Sequence, residues 1–106
     1  LKCAEGDEIA GIICFVKTGV YSCEGHYAFL PKYWGKTLKY GREAIEWAFK
    51  QGYRKITGKT PIDNKPAIAW AKRLGFEIEG INRESIMING EMIDQIYFGL
   101  RWSQWA

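Results

Sequence analysis

The sequence predicts an α+β domain, a largely antiparallel sheet with two helices packed on it. Three observations carry this. Short β-branched, apolar stretches are punctuated by Gly, Pro and Asn-Gly. Two other stretches repeat their apolar residues at helical spacing instead. Each of those two closes on a glycine, the usual residue just past a helix end.

Taken in order, Glu8–Lys17 (EIAGIICFVK) reads as a strand and Ser22–Leu30 (SCEGHYAFL) as a second, stopped by Pro31. Alternation along the second puts Ser22, Glu24, His26 and Ala28 on one face and Cys23, Tyr27 and Phe29 on the other. Gly35–Gln51 is a helix with Leu38, Gly41, Ala44, Ile45 and Ala48 on one stripe, ended by Gly52. Arg54–Lys59 is a short strand leading to a polar turn at Thr60–Asn64. A second helix starts near Asp63–Pro66, capped by Asp63 or Asn64, and closes at Gly75. Its last turn holds Lys72 and Arg73, where cations suit the helix dipole. Phe76–Gly80 is a further strand, and Ile86–Ile88 and Met92–Leu100 form a hairpin around Asn89-Gly90. The tail, with Trp102 and Trp105, has no assigned element.

The 106 residues make one domain, and 47% apolar with 25% charged residues argues against disorder. No apolar run reaches the length of a membrane span, and Leu1–Ala10, carrying Lys2, Glu5, Asp7 and Glu8, does not read as a secretory leader. Three cysteines without metal spacing and a single histidine argue against a zinc site and for reduced thiols in a cytoplasmic protein. Cys14 and Cys23 read as buried. A net charge of +3 is too weak to argue nucleic-acid binding by itself, which leaves that reading only the lysine cluster and the aromatics.

Two segments invite chemistry. Lys32-Tyr33-Trp34-Gly35-Lys36-Thr37-Leu38 joins a strand to a helix, and a helix start offers unpaired amides to an anion. Asn64-Lys65-Pro66-Ala67 opens the second helix, which ends at Leu74-Gly75-Phe76. Each alone is an ordinary helix start. Together, in this order, they resemble the GNAT superfamily of acyl-CoA-dependent N-acetyltransferases. Lys32-Tyr33-Trp34-Gly35-Lys36-Thr37 stands in place of Gln/Arg-x-x-Gly-x-Gly/Ala, and Asn64…Ala67…Leu74-Gly75-Phe76 matches the other signature. Trp34-Gly35-Lys36 with Glu43-Ala44, Glu79-Gly80 and Gly90…Asp94 resembles the branch that acetylates ribosomal-protein N-termini, and its phage-encoded relatives. The likeness runs from about Glu8 to Trp102.

The resemblance implies acetyl-CoA as cosubstrate, no metal, and a V-shaped splay between the second strand and Arg54–Lys59. Pantetheine would pair with backbone at Ala28, Phe29 and Leu30. Pyrophosphate would sit at Trp34, Gly35, Lys36, Thr37 and Leu38, with Lys32 beside it, and Asn64 would face the cofactor. Thr37 departs from Gly or Ala, although its hydroxyl can donate to an anion. Ala71 stands where many members carry a thiolate-protonating Tyr. Only about eight residues precede the Glu8 strand, so an N-terminal strand and helices are expected to be missing or truncated.

Amine acetylation needs a base. Glu24 and His26, two apart on one strand face with Cα atoms roughly 6.6–6.8 Å apart, are the candidates. The same two residues read equally as a satisfied polar pair. Asp94 is a weaker candidate for the base and reads rather as structural. The expected activity is acetyl transfer to a primary amine (a protein N-terminus, a lysine or a small molecule) by direct attack. The alternative is an inactive module of the same fold, such as a part of a phage particle, contacting a partner through Trp102 and Trp105. The sequence leaves oligomeric state open, although the exposed late strand could pair two subunits as a homodimer or meet a protein partner.

Overall fold

Among the described residues, ten elements follow the expected order of strands, helix, strand, helix and hairpin. The structure is a computed structural model and describes residues 2–5 and 8–105. The strands are β1 (Lys2–Glu5), β2 (Glu8–Lys17), β3 (Ser22–Phe29), β4 (Lys55–Pro61), β5 (Glu77–Ile88) and β6 (Glu91–Arg101). A 3-10 helix at Pro31–Lys36 runs into α1 (Thr37–Lys50), and α2 (Lys65–Arg73) and a short α3 (Trp102–Trp105) complete the chain.

The strands form one six-stranded sheet in the order β1-β2-β3-β4-β6-β5. Every neighbouring pair is antiparallel except β3 with β4, which are parallel because α1 crosses between them.

Apolar spacing decides where the helices lie. α1 buries Tyr40, Gly41, Ala44, Ile45, Ala48 and Phe49, which recur one helical turn apart. Ile45, Ala48 and Phe49 pack with Cys23, Ile56 and Leu100 of the sheet and with Leu74 at the end of α2. Tyr40 and Ala44 pack with Cys3, Ala10 and Ile13. Both long helices therefore cover the same face. The opposite face of β2 keeps Ile12 and Val16 exposed.

Four expectations are revised. β1 was not foreseen: its four residues are too few to show a period, and it forms by pairing with β2. The Gly35–Gln51 helix begins as a 3-10 turn from Pro31 and becomes α-helical at Thr37. Phe76–Gly80 and Ile86–Ile88 belong to one strand, β5, whose register shifts twice against β6. Asp94 holds one irregularity, its carboxylate accepting the Glu84 amide at 2.8 Å, with Glu84 at φ +47°. Cys14 is exposed, because it lies on the face of β2 that the helices leave bare.

The Asn89-Gly90 turn forms as expected, with both residues at positive φ, +50° and +80°. Trp105 donates to Glu46 Oε1 at 2.7 Å and packs against Phe49, so it is tied to α1 rather than presented to a partner. Arg54 lies over the Trp102 ring, 4.9 Å from its centroid. β5 is the outer edge of the sheet. No helix among the described residues is long and apolar enough to cross a membrane.

Candidate active site

The site begins where β3 and β4 part. Their parallel ladder has three pairs, Ser22↔Lys55, Cys23↔Ile56 and Glu24↔Thr57. Thr57 Oγ1 reaches across to the Cys23 carbonyl at 3.4 Å, beside the last pair. Beyond it β3 follows β2 as far as Gly11↔Phe29, while β4 follows β6 as far as Pro61↔Gln95. Each strand thus keeps one partner and turns its other edge toward a widening gap. Backbone groups on such an edge need partners of their own.

α1 and α2 roof this gap and leave a cleft open to solvent. Its walls include Gly25, Tyr27, Gly58 and Thr60 from the splayed strands and Trp70 and Ala71 from α2. A Cβ placed on Gly58 would meet nothing within 4 Å. The Tyr27 and Trp70 rings lean together, 4.4 Å between centroids. Burial raises the Tyr27 hydroxyl above the ordinary phenol range, so it keeps its proton at neutral pH. Trp70 Nε1 is buried without a hydrogen-bond partner. A ligand with polar groups for the two strand edges and an acceptor near Trp70 fits this cleft.

Glu24 stands at the closed end of the splay. Its Oε1 lies 2.9 Å from His26 Nε2 and 3.9 Å from Lys59 Nζ. The Glu24 side chain is 23% exposed and that of His26 48%. The carboxylate therefore remains within reach of solvent and of a bound amine or water. The pairing follows from alternation on β3, as the sequence indicated. Lys59 was missed. It lies two residues beyond Thr57 and so shares the Glu24 face, but only the parallel register reveals this. Trp70 was missed too, since a Trp at that spacing looks like core.

The remaining predicted residues are placed as follows. Ala28 is exposed on β3. The Phe29 carbonyl accepts from Trp34 Nε1 at 3.4 Å, and the Leu30 amide donates to Ala10 at 2.8 Å, so both are engaged within the chain. Lys32 pairs with Glu8 at 2.6 Å, tying the 3-10 turn back to β2. A Cβ on Gly35 would meet nothing within 4 Å. Lys36 and Leu38 flank the junction at Thr37. At that junction the Thr37 amide and hydroxyl both donate to the Trp34 carbonyl, the hydroxyl at 3.0 Å. The expected open row of amides is thus partly consumed by the 3-10 turn, and the Thr37 hydroxyl is already spent. The Asn64 side chain accepts from the Ala67 amide at 3.4 Å, as an N-cap of α2. Among the described residues no group of three His, Cys, Asp or Glu side chains could hold a metal ion.

Comparison with known proteins agrees with this geometry. Residues 1–97 match the family described as Acetyltransferase (GNAT) domain. The chain belongs to that family. The GNAT domain superposes on a GNAT-family acetyltransferase from Bacillus anthracis with a TM-score of 0.83 at 22% identity, over 92% of this chain and 61% of that one. A spermidine N-acetyltransferase from Vibrio cholerae, solved in complex with CoA and spermine, gives 0.89 at 20% identity, over 95% and 63%. At these identities the likeness is one of fold. A 36-residue stretch is 47% identical to the L-amino acid N-acetyltransferase AaaT of Escherichia coli K12, covering 34% of this chain and 22% of that protein. The chain thus spans less than two thirds of the length of each of these relatives.

Proposed function

We propose that this GNAT domain binds acetyl-CoA in the β3–β4 splay and transfers the acetyl group to a primary amine on the Glu24 side of the sheet. One observation carries the reading: two strand edges that part after Glu24↔Thr57 and line a cleft roofed by two helices. Acetyl-CoA supplies an activated thioester. The strand edges would hold its pantetheine amides, and the segment from Lys32 to Leu38 its phosphates, once the Thr37 amide is released from Trp34. Asn64, the cap of α2, would face the cofactor. Glu24 takes a proton from the amine, directly or through water, while His26 and Lys59 fix the carboxylate and disperse its charge.

The acceptor belongs to the amines. Spermidine and an L-amino acid are named for relatives, and the protein N-terminus suggested by Trp34-Gly35-Lys36 and Glu43-Ala44 is a third member of the class. The unpaired thiols of Cys3, Cys14 and Cys23 support a cytoplasmic setting. A second reading, the inactive module, draws support from Ala71 in the cleft wall, where a proton-donating Tyr is absent.

The two readings separate in a transfer assay with acetyl-CoA and a panel of spermidine, free amino acids and a peptide with a free N-terminus. The enzyme reading expects turnover on one of them and a loss of about 10²–10⁴-fold in kcat/KM for Glu24→Gln. A folded, CoA-binding chain that acetylates none of the amines supports the inactive module.

A further inference from the structure

We propose that Lys59 reads a carboxylate on the acceptor, so that the site takes an α-amino acid in preference to a polyamine or a peptide N-terminus. The inference deepens the acetyl-transfer reading above and rests on it. Glu24 has Val16 opposite it on β2 and Thr57 opposite it on β4. His26 Nε2 lies 2.9 Å from Glu24 Oε1, within hydrogen-bond distance. Lys59 Nζ lies 3.9 Å from the same oxygen, an ion-pair contact too long for a hydrogen bond. By contrast, Lys55 meets Glu79 and Lys32 meets Glu8, each at 2.6 Å. Lys59 thus stands beside Glu24 without closing on it. Its register partner on β6 is Tyr97, whose hydroxyl accepts from Asn82 at 3.0 Å. The Lys59 side chain is 43% exposed, so its N–H donors can turn to an anion arriving from solvent.

A carboxylate and an ammonium side by side are complemented by an ammonium and a carboxylate side by side. In an α-amino acid the nitrogen and the carboxyl carbon are held about 2.5 Å apart. The nitrogen can meet Glu24, whose two oxygens offer about four acceptor positions, while the carboxylate meets Lys59. Toward β2 the substituent meets Val16, which is exposed. A polyamine fits this face poorly. Its several ammonium groups need several carboxylates, and Glu79 and Glu77 are already paired with Lys55 and Arg101. Lys59 repels each further cation, as does His26 when protonated. A peptide N-terminus presents its amine beside a neutral amide, which gives Lys59 no anion to hold.

In the reaction Glu24 takes one proton from the bound ammonium, which frees the nitrogen lone pair. The nitrogen attacks the thioester carbonyl, the C–N bond forms and the C–S bond breaks. The nitrogen's second proton passes to water, and the CoA thiolate takes one from water. The proton on Glu24 returns to solvent, so each turnover releases one proton. Lys59 exchanges no proton in these steps. It holds the carboxylate and so decides which amine lies beside Glu24.

The test is a transfer assay with acetyl-CoA and L-leucine, L-leucinamide, 3-methylbutylamine or spermidine, run on wild type, Lys59→Gln and Lys59→Arg. The first three amines share one side chain and differ at the carboxylate. The ratio of kcat/KM for leucine to that for leucinamide is expected to fall on the order of tenfold in Lys59→Gln, through KM, and to be largely kept in Lys59→Arg. Intrinsic amine basicity is the same in every variant, and any effect of Lys59 on Glu24 falls on both amines alike, so both cancel in the comparison. A ratio unmoved by Lys59→Gln, or wild-type transfer to spermidine in preference to leucine, overturns the carboxylate site and leaves acetyl transfer standing. No transfer to any of the four amines overturns both.

Discussion

Thr37 and Asn64 each carry a side chain with two uses. The Thr37 hydroxyl, which could meet an anion, closes the 3-10 turn on Trp34 instead. Asn64 caps α2, a role that needs only its side-chain oxygen and the Ala67 amide. Asn64→Ala is expected to cost ~0.5–1 kcal/mol in denaturant unfolding, the low part of the N-cap range because the bond is long, and Asn64→Asp to restore it. Lys32 offers a pH-dependent contact. Its hydrogen bond holds the Glu8 carboxyl below the usual carboxylate range, and Glu8 in turn raises Lys32. A depressed carboxylate contributes stability above its unfolded pKa and loses it as pH falls through the folded one. A raised lysine contributes below its unfolded pKa and loses it as pH rises through the folded one. The tie therefore holds at neutral pH and fades at both extremes. In melts across pH, the small gap between wild type and Glu8→Gln should close below the carboxylate range.

Among the elements, α1 and α2 were legible because their burial follows a helical period, and their ends because Gly52 and Gly75 adopt the positive φ of residues just past a helix. The β5–β6 hairpin was legible through Asn89-Gly90, but β5's continuity was not, since its exposed residues and register shifts hide any alternation. The helix start at Pro31 was misplaced because Pro fits a strand stop and a first helical turn equally well. Contact between the helices depends on Gly41. A Cβ there would meet Leu74 Cδ1 at 2.8 Å and Trp70 Cζ2 at 3.0 Å. Leu74 is buried and has little room to yield. Gly41→Val should destabilise the domain by about 1–3 kcal/mol, read from chemical unfolding, despite the better helix propensity of Val.

At the scale of the molecule, the sheet separates two kinds of chemistry. One face carries the helices, the core and the apolar cleft. The other carries Glu24, His26 and Lys59 beside the bare face of β2. The Glu24–His26 pair was legible from strand alternation alone, since it needs only the two-residue period. Lys59, Trp70 and Gly58 were not, because they meet the site through strand order and parallel register, which arise from α1 crossing between β3 and β4. Both faces meet at the splay, where we propose that acetyl-CoA binds. The direct measurement is thermal melting of the chain with and without acetyl-CoA, with adenosine 3′,5′-bisphosphate as the control. Ligand at about 100 times its dissociation constant adds roughly 2.7 kcal/mol. For a domain of this size that predicts a rise on the order of 10 °C with acetyl-CoA, and a smaller one with the nucleotide fragment. A folded chain whose melting temperature is unmoved by millimolar acetyl-CoA would contradict acetyl-CoA binding at the splay.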